Sequence, residues 1–257
     1  NIIAPENRHI SADEGAALAG VEVFYIKNNV QYGLPMPITA QQIEEAYRSS
    51  ENVRAVLVVS PDYYGFSADL PAIRAVCDKL GIRMFVDSAH GAHFASSDTG
   101  SAPLFPLSAS RIADACNMSA HKTMRAFTQS AYLAVNDAGL LPVIDKNLAL
   151  LGTTSPSYIL MGQLEEAVSY EERHADRYMM LAAEIRSITG NGFIKIRNDD
   201  PMRLVIDFSP SGIRGAEACA RLAERGIYAE MSSGDLAVFI VTLSDNAHNI
   251  RKLAKEL

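Results

Sequence analysis

Short apolar runs alternate with helical periodicity through the first third of the chain. V21-E-V-F-Y-I26 is rich in β-branched and aromatic residues and predicts a strand. T39-A-Q-Q-I-E-E-A-Y47 predicts a helix, with Thr39 as N-cap and Gln42 spaced to complete a capping box. R54-A-V-L-V-V59 is almost continuously apolar, as befits a strand buried on both faces of a parallel sheet. After a turn-rich loop at 60–65, L70-P-A-I-R-A-V-C-D-K-L80 predicts a helix closed by Gly81, and I82-R-M-F-V-D87 a further strand. Strand, helix and strand in this rhythm predict an α/β fold, a mostly parallel sheet with crossover helices.

Further strands are predicted at A113-D-A-C-N-M118 and S130-A-Y-L-A-V135. A long helix is predicted from beyond Pro156 to about Ile188, and the charges in E165-E-A-V-S-Y-E-E-R-H-A-D-R177 read as its solvated face. T189-G-N-G192 is the best boundary. It divides a large unit, 1–190, from a small C-terminal α+β unit, 191–257, which reads strand (M202–F208), helix, strand (A237–T242), helix.

Composition narrows the class. Hydrophobic residues make up 48% and charged residues 21%, which is ample for a buried core. Lys+Arg 23 against Asp+Glu 30 leaves a net charge of −7 and no basic stripe, so no nucleic-acid partner is expected. Cys77, Cys116 and Cys219 form neither a disulfide framework nor a paired metal motif, and no apolar run has the length of a membrane span. A cytoplasmic protein without a membrane partner is expected.

Ligands of open parallel sheets bind beyond the carboxyl ends of the strands, and polar loops fall there at 60–65, 87–94 and 119–123. Asp87, His90 and His93 in V86-D-S-A-H-G-A-H-F94 carry the donor atoms of a two-histidine, one-carboxylate metal site. The next strand end supplies Lys122, however, which a divalent cation would repel. Pyridoxal phosphate asks for a different set: a lysine to condense with its aldehyde, an acid to keep the pyridine nitrogen protonated, and donors for its phosphate. Asp87, Lys122 thirty-five residues on, and the neighbouring Ser119 and His121 match that list. On spacing alone, a capped strand end with a surface lysine competes with this reading.

The order of motifs adds a resemblance. D87-S-A-H-G-A-H-F94, S119-A-H-K-T123, the S130-A-Y-L run, T153-T-S-P-S-Y158, N7-R-H-I-S11 and S60-P-D-Y-Y-G65 together closely resemble the Orn/Lys/Arg decarboxylase family, over nearly the whole chain. The resemblance implies a pyridoxal-phosphate enzyme of the aspartate-aminotransferase fold that decarboxylates arginine, lysine or ornithine. It implies that Lys122 forms the Schiff base, that Asp87 pairs with the pyridine nitrogen, and that Ser119 and His121 bind the phosphate. His9 would stack on one ring face and Ala89 on the other, with His90 near the phenolic oxygen and the leaving carboxylate. Thr153 and Ser155 would reach a neighbouring subunit's cofactor, implying a homodimer with shared active sites. No metal is assigned, and His93 is expected to support the turn from behind.

The chain also departs from the family. Almost nothing lies upstream of Asn7, where the family carries a Gly/Ser/Thr-rich phosphate-binding turn, and much of the C-terminal domain is missing. Ile10 and Ser88 stand where lysine and an acidic residue are usual. A fragment of a longer product is expected. Beside decarboxylation stand an aminotransferase or lyase on the same scaffold, a non-catalytic relative acting through oligomer contacts, and the metal reading.

Overall fold

The computed structural model describes residues 1–99 and 104–257. The chain runs through β1 (Ile2–Pro5), α1 (Ile10–Ala19), β2 (Val23–Ile26), a small hairpin of β3 (Val30–Gln31) and β4 (Leu34–Pro35), α2 (Ala40–Arg48), β5 (Ala55–Val59), α3 (Leu70–Leu80) and β6 (Arg83–Asp87). It continues through β7 (Ala115–Met118), the short α4 (Ala120–Thr123), β8 (Tyr132–Val135), α5 (Leu141–Leu151), α6 (Tyr158–His174) and α7 (Asp176–Ser187). Last come β9 (Ile194–Ile196), β10 (Arg203–Asp207), α8 (Gly215–Glu224), β11 (Met231–Ser233), β12 (Leu236–Ile240) and α9 (Ala247–Glu256).

The local signals act as their chemistry requires. Thr39 caps α2 by accepting from the Gln42 backbone N–H, and the Gln42 side chain accepts from the Thr39 backbone in return. Asp69 caps α3, Pro71 sits in its first turn, and Gly81 closes it in the left-handed conformation at φ 67°. The apolar face of each helix then packs on the sheet, with Ile43 and Ile73 fully buried beside Val56, Val58, Met84 and Val86. Each such side chain contributes roughly 1.5–3 kcal/mol by leaving water.

Among the described residues the larger sheet has six strands in the order β2-β1-β5-β6-β7-β8. All neighbours pair in parallel except β7 with β8, which is antiparallel. The fold is therefore α/β with a mostly parallel sheet. The smaller sheet, order β11-β12-β10-β9, is antiparallel throughout and is backed by α7, α8 and α9 through Tyr178, Leu181, Leu204, Ile206, Leu222 and Leu253. A third apolar cluster (Leu34, Phe66, Ile196, Val205, Val238) joins the two halves. Among the described residues no helix is long and apolar enough to cross a membrane.

Two expectations change. The single helix beyond Pro156 is two, broken at Ala175. The His174 ring donates from Nδ1 to the Tyr170 carbonyl at 2.8 Å and stacks on the Tyr170 ring, so His174 is half-buried and bonded rather than merely solvated. The charged face is not wholly solvated either. Glu171 is buried, accepts from the Tyr178 hydroxyl and, at 3.3 Å, from Ser96, and burial pushes its carboxyl up.

Candidate active site

A cleft of about 620 Å³ opens at the carboxyl ends of β5, β6 and β7. Its walls include Asn7, Arg8 and His9 ahead of α1, Asp62 and Tyr63 after β5, Asp87, Ala89 and His90 after β6, and Ser119 and Lys122 after β7. Met231 of the small sheet closes one side. Six of the predicted site residues (His9, Asp87, Ala89, His90, Ser119 and Lys122) therefore share one cavity.

Register explains the position of Asp87. It pairs with Val59 on one side and Asn117 on the other, so three strand ends align at the cleft floor. Asn117 Nδ2 donates to Asp87 Oδ1 at 2.9 Å, and the Ala89 N–H donates to the same oxygen at 3.1 Å. Both bonds fall on Oδ1, which leaves Oδ2 for a ligand. The sequence reading passed over Asn117; the signal was a polar residue one turn of the pleat from the strand end.

The tight turn after Asp87 depends on Gly91. A Cβ there would stand 2.4 Å from Ser88 Oγ and 2.5 Å from Pro61 Cδ, so only glycine lets the 87–94 loop lie against the 60–65 loop. This packing sends the two histidines in different directions. His90 faces the cleft, its ring tilted on Tyr63 with centroids 4.5 Å apart. Its Nε2 lies 3.4 Å from Lys122 Nζ and its Nδ1 3.3 Å from Arg203 Nη2. Burial, then the flanking cations Arg203 and Lys122, push the imidazole down to about 2.

His93 points away. It is buried among Phe94, Phe105 and Tyr178, and its Nε2 lies 3.2 Å from Asp200 Oδ1. Asp87, His90 and His93 thus have separate partners, and among the described residues no cluster of three or more His, Cys, Asp or Glu side chains gathers as a metal site.

The remaining predicted residues are placed as follows. Ser119 caps α4 without a side-chain capping bond, so its hydroxyl is available to a ligand. His121 does not line the cleft; its Nδ1 donates to the Ser130 carbonyl at 2.9 Å. His9 caps α1, accepting from the Ser11 N–H through Nδ1, which leaves its ring face open. Thr153 and Ser155 are exposed on the segment between α5 and α6, outside the cleft, and Ser155 donates its N–H to Thr153 Oγ1.

Three residues were not given a site role from sequence. Asp62, which lines the cleft, accepts from the Tyr64 and Phe66 N–H groups through Oδ1, while Oδ2 has no partner among the described residues. Burial pushes its carboxyl up to about 7. Tyr63 donates to Glu230 Oε1 at 2.7 Å and is pushed up to about 12 by burial and by that carboxylate. Arg203 opens β10 fully buried beside Asp200, and its place against His90 depends on Gly65. Gly65 has φ 86°, and a Cβ on it would come 2.8 Å from Arg203 Cβ. The signal for Arg203 was a cation heading an otherwise apolar strand, R203-L-V-I.

The Orn/Lys/Arg decarboxylase major-domain model matches residues 1–190. An uncharacterized Bacillus subtilis protein, YaaO, is 29% identical over 278 aligned residues, covering 100% of this chain and 57% of its own. A Bacillus anthracis arginine decarboxylase is 27% identical, covering 100% of this chain and 55% of its own. The crystal structure of the Francisella novicida lysine decarboxylase LdcF superposes with a TM-score of 0.79 at 19% identity, over 100% of this chain and 44% of that one. The chain spans little more than half the length of the curated relatives it matches. By the match across its larger sheet and every cleft-lining residue but Met231, this chain belongs to the Orn/Lys/Arg decarboxylase family.

Proposed function

We propose that the cleft binds pyridoxal phosphate and serves the decarboxylation of a basic amino acid. One observation carries this reading: Lys122 and the Asp87 carboxylate, with one oxygen unclaimed, line the same strand-end cavity. The residues present fit the cofactor. Lys122 is the amine that would hold its aldehyde, Asp87 Oδ2 would face its ring nitrogen, and Ala89 is small enough to admit a flat ring. The Ser119 hydroxyl would reach its phosphate, with His121 behind. When bound, the cofactor supplies a conjugated system into which the electrons of a broken Cα bond spread.

The chain's own residues do the rest. Asp87, fixed by Asn117 and the Ala89 N–H, holds a carboxyl oxygen where a ring N–H would need an acceptor. His90, neutral and tilted on Tyr63, offers an uncharged wall against which a carboxylate loses solvation, and its departure as neutral carbon dioxide, with the bonding electron pair left at Cα, is then favoured. Glu230 stands behind Tyr63 and beside Met231, and an anion there suits a distal ammonium or guanidinium. This supports a basic substrate over a neutral one.

The same reading takes 1–190 as the cofactor-binding unit and 191–257 as a small C-terminal one. The end of the family match at 190 and the division of the two sheets support that boundary. It also takes the protein as a cytoplasmic homodimer in which Thr153 and Ser155 face the partner's cleft, supported by three free cysteines and by the exposure of their segment. Adding pyridoxal phosphate, recording the visible spectrum, reducing with borohydride and mapping the labelled peptide tests the core of the proposal. Label on Lys122, lost in Lys122→Ala, is expected. Absence of both band and label in the chain extended to its relatives' full length would refute it.

A further inference from the structure

The segment D200-P-M-R203 touches both histidines of the V86–F94 motif. Asp200 takes His93 through Oδ1, and Arg203 takes His90 through Nη2. Arg203 is 2% exposed, and its Nε and Nη1 have no hydrogen-bond partner among the described residues. Its Nε is 3.9 Å from Asp200 Oδ2, close enough for attraction but too far for a hydrogen bond. Such a site is costly to maintain, since a buried guanidinium normally has most of its donors matched. The one side-chain donor that is matched among the described residues reaches His90.

That contact has a single chemical reading. A guanidinium carries five N–H donors, has no acceptor and does not give up its proton in a protein. At 3.3 Å from Arg203 Nη2, His90 Nδ1 must therefore present its lone pair. A neutral imidazole has one N–H and one lone pair, so the proton sits on Nε2, the nitrogen 3.4 Å from Lys122 Nζ. We propose that Arg203 is a positioning residue, which fixes His90 as the neutral Nε2–H tautomer so that the ring donates toward the lysine nitrogen instead of accepting from it. The Nε2–H then faces the nitrogen that would condense with a carbonyl. The proposal rests on the reading of Lys122 as the cofactor-holding amine.

The surroundings agree. The charged and titratable groups around His90 are Arg203 from β10, Lys122 and His121 from α4, His93 from its own loop and Tyr63 from the 60–65 loop. Arg203 is a cation in direct contact, and the nearest ring is a tyrosine that donates its own proton elsewhere, to Glu230. No carboxylate among the described residues bonds to His90, so nothing adjacent favours the imidazolium.

The test reads the tautomer directly and needs no cofactor. The 257-residue chain is labelled with 15N-histidine, long-range proton–nitrogen correlations are recorded from pH 5.5 to 8, and His90 is assigned by its loss in His90→Gln. Nitrogen shifts distinguish a bare Nδ1 with a protonated Nε2 from the other tautomer and from imidazolium. The parent should show a neutral Nε2–H ring across the range. Arg203→Met should lose that pattern, giving mixed tautomers and a ring that begins to protonate toward pH 5.5, while Arg203→Lys, which keeps a cationic donor, should retain it. A parent ring protonated at Nδ1, or charged at neutral pH, would overturn the proposal without any variant. So would an Arg203→Met chain of native circular dichroism whose His90 pattern is unchanged. Borohydride labelling of Lys122 is read separately, so failure of the cofactor assignment is distinguished from failure of the tautomer assignment.

Discussion

His93 meets Asp200 across 107 positions of sequence, Nε2 to Oδ1 at 3.2 Å, with both side chains buried. Burial alone would raise the Asp200 carboxyl, yet His93, Arg203 and the Met202 N–H carry it below its ordinary value. The pair joins the loop after β6 to the small sheet, behind the cleft.

Breaking the pair should therefore be expensive. Asp200→Ala leaves His93 without its acceptor and removes the closest anion from Arg203, so a loss of about 3–5 kcal/mol is expected. Urea unfolding at pH 7 measures it as a lowered midpoint with an unchanged slope. A cycle with His93→Phe should show coupling above about 0.5 kcal/mol; simple additivity would mean the contact contributes nothing specific.

Asp62 gives a pH signature of the opposite sign. Its folded value is raised from 3.8 to about 7 by burial, so the folded chain holds a proton that the unfolded chain has released. Stability from this group is full below about pH 4, falls as pH rises toward 7, and is flat above. A shift of this size corresponds to roughly 4 kcal/mol at most, and relaxation on ionisation will reduce it. Asp62→Asn should flatten the slope between pH 4 and 7 relative to the parent. Reading the difference between the two chains cancels the opposing slope from His90, whose lowered value makes stability rise with pH from about 2 to 6.5. An unchanged slope in the variant would show that Asp62 is ionised throughout.

The run that became β5 was legible because burial leaves no polar alternation to interrupt it, and β6 and β7 were legible from shorter apolar stretches. Asp87 and Lys122 were legible as polar residues at the ends of such runs. β1 was not, since four residues carry too little pattern; its central place comes from pairing with β2 and β5, which are distant in sequence. Arg203 and Glu230 were hidden for the same reason. Each lies in the C-terminal part, and each meets a cleft residue, Glu230 at Tyr63 and Arg203 at His90, only when the small sheet packs on the loops after β5 and β6. The break at Ala175 was invisible because no proline or glycine marks it.

Glu230 tests the substrate class. If its carboxylate answers a distal cation, Glu230→Gln removes the charge but keeps the Tyr63 hydrogen bond. Loss of one charge-assisted contact is worth about 1.5–3 kcal/mol, so KM for the preferred basic amino acid should rise roughly tenfold to a hundredfold with kcat less affected. Tyr63→Phe is the companion variant, expected to have the smaller effect. Steady-state kinetics on the chain extended to its relatives' full length would show the split, and equal loss with a neutral amino acid would remove the basis for a basic substrate.

The surface around Thr153 and Ser155 makes the last prediction. Leu150, Leu151, Tyr158 and Ile159 flank that segment and are 74, 72, 82 and 74% exposed, and no residue of α5 is buried. Four large apolar side chains in water beside two predicted cofactor contacts form a patch that a second copy would cover. Covering each side chain is worth roughly 1.5–3 kcal/mol, so the group is a substantial share of the drive to associate. Leu151→Glu with Ile159→Glu should weaken self-association by at least about a hundredfold, since each ~1.4 kcal/mol is tenfold. Sedimentation equilibrium at several protein concentrations gives the constant, and circular dichroism confirms that the variant is folded. A parent chain that stays monomeric, or a double variant that dimerises as tightly as the parent, would place the contact elsewhere and leave Thr153 and Ser155 without a neighbouring cleft to reach.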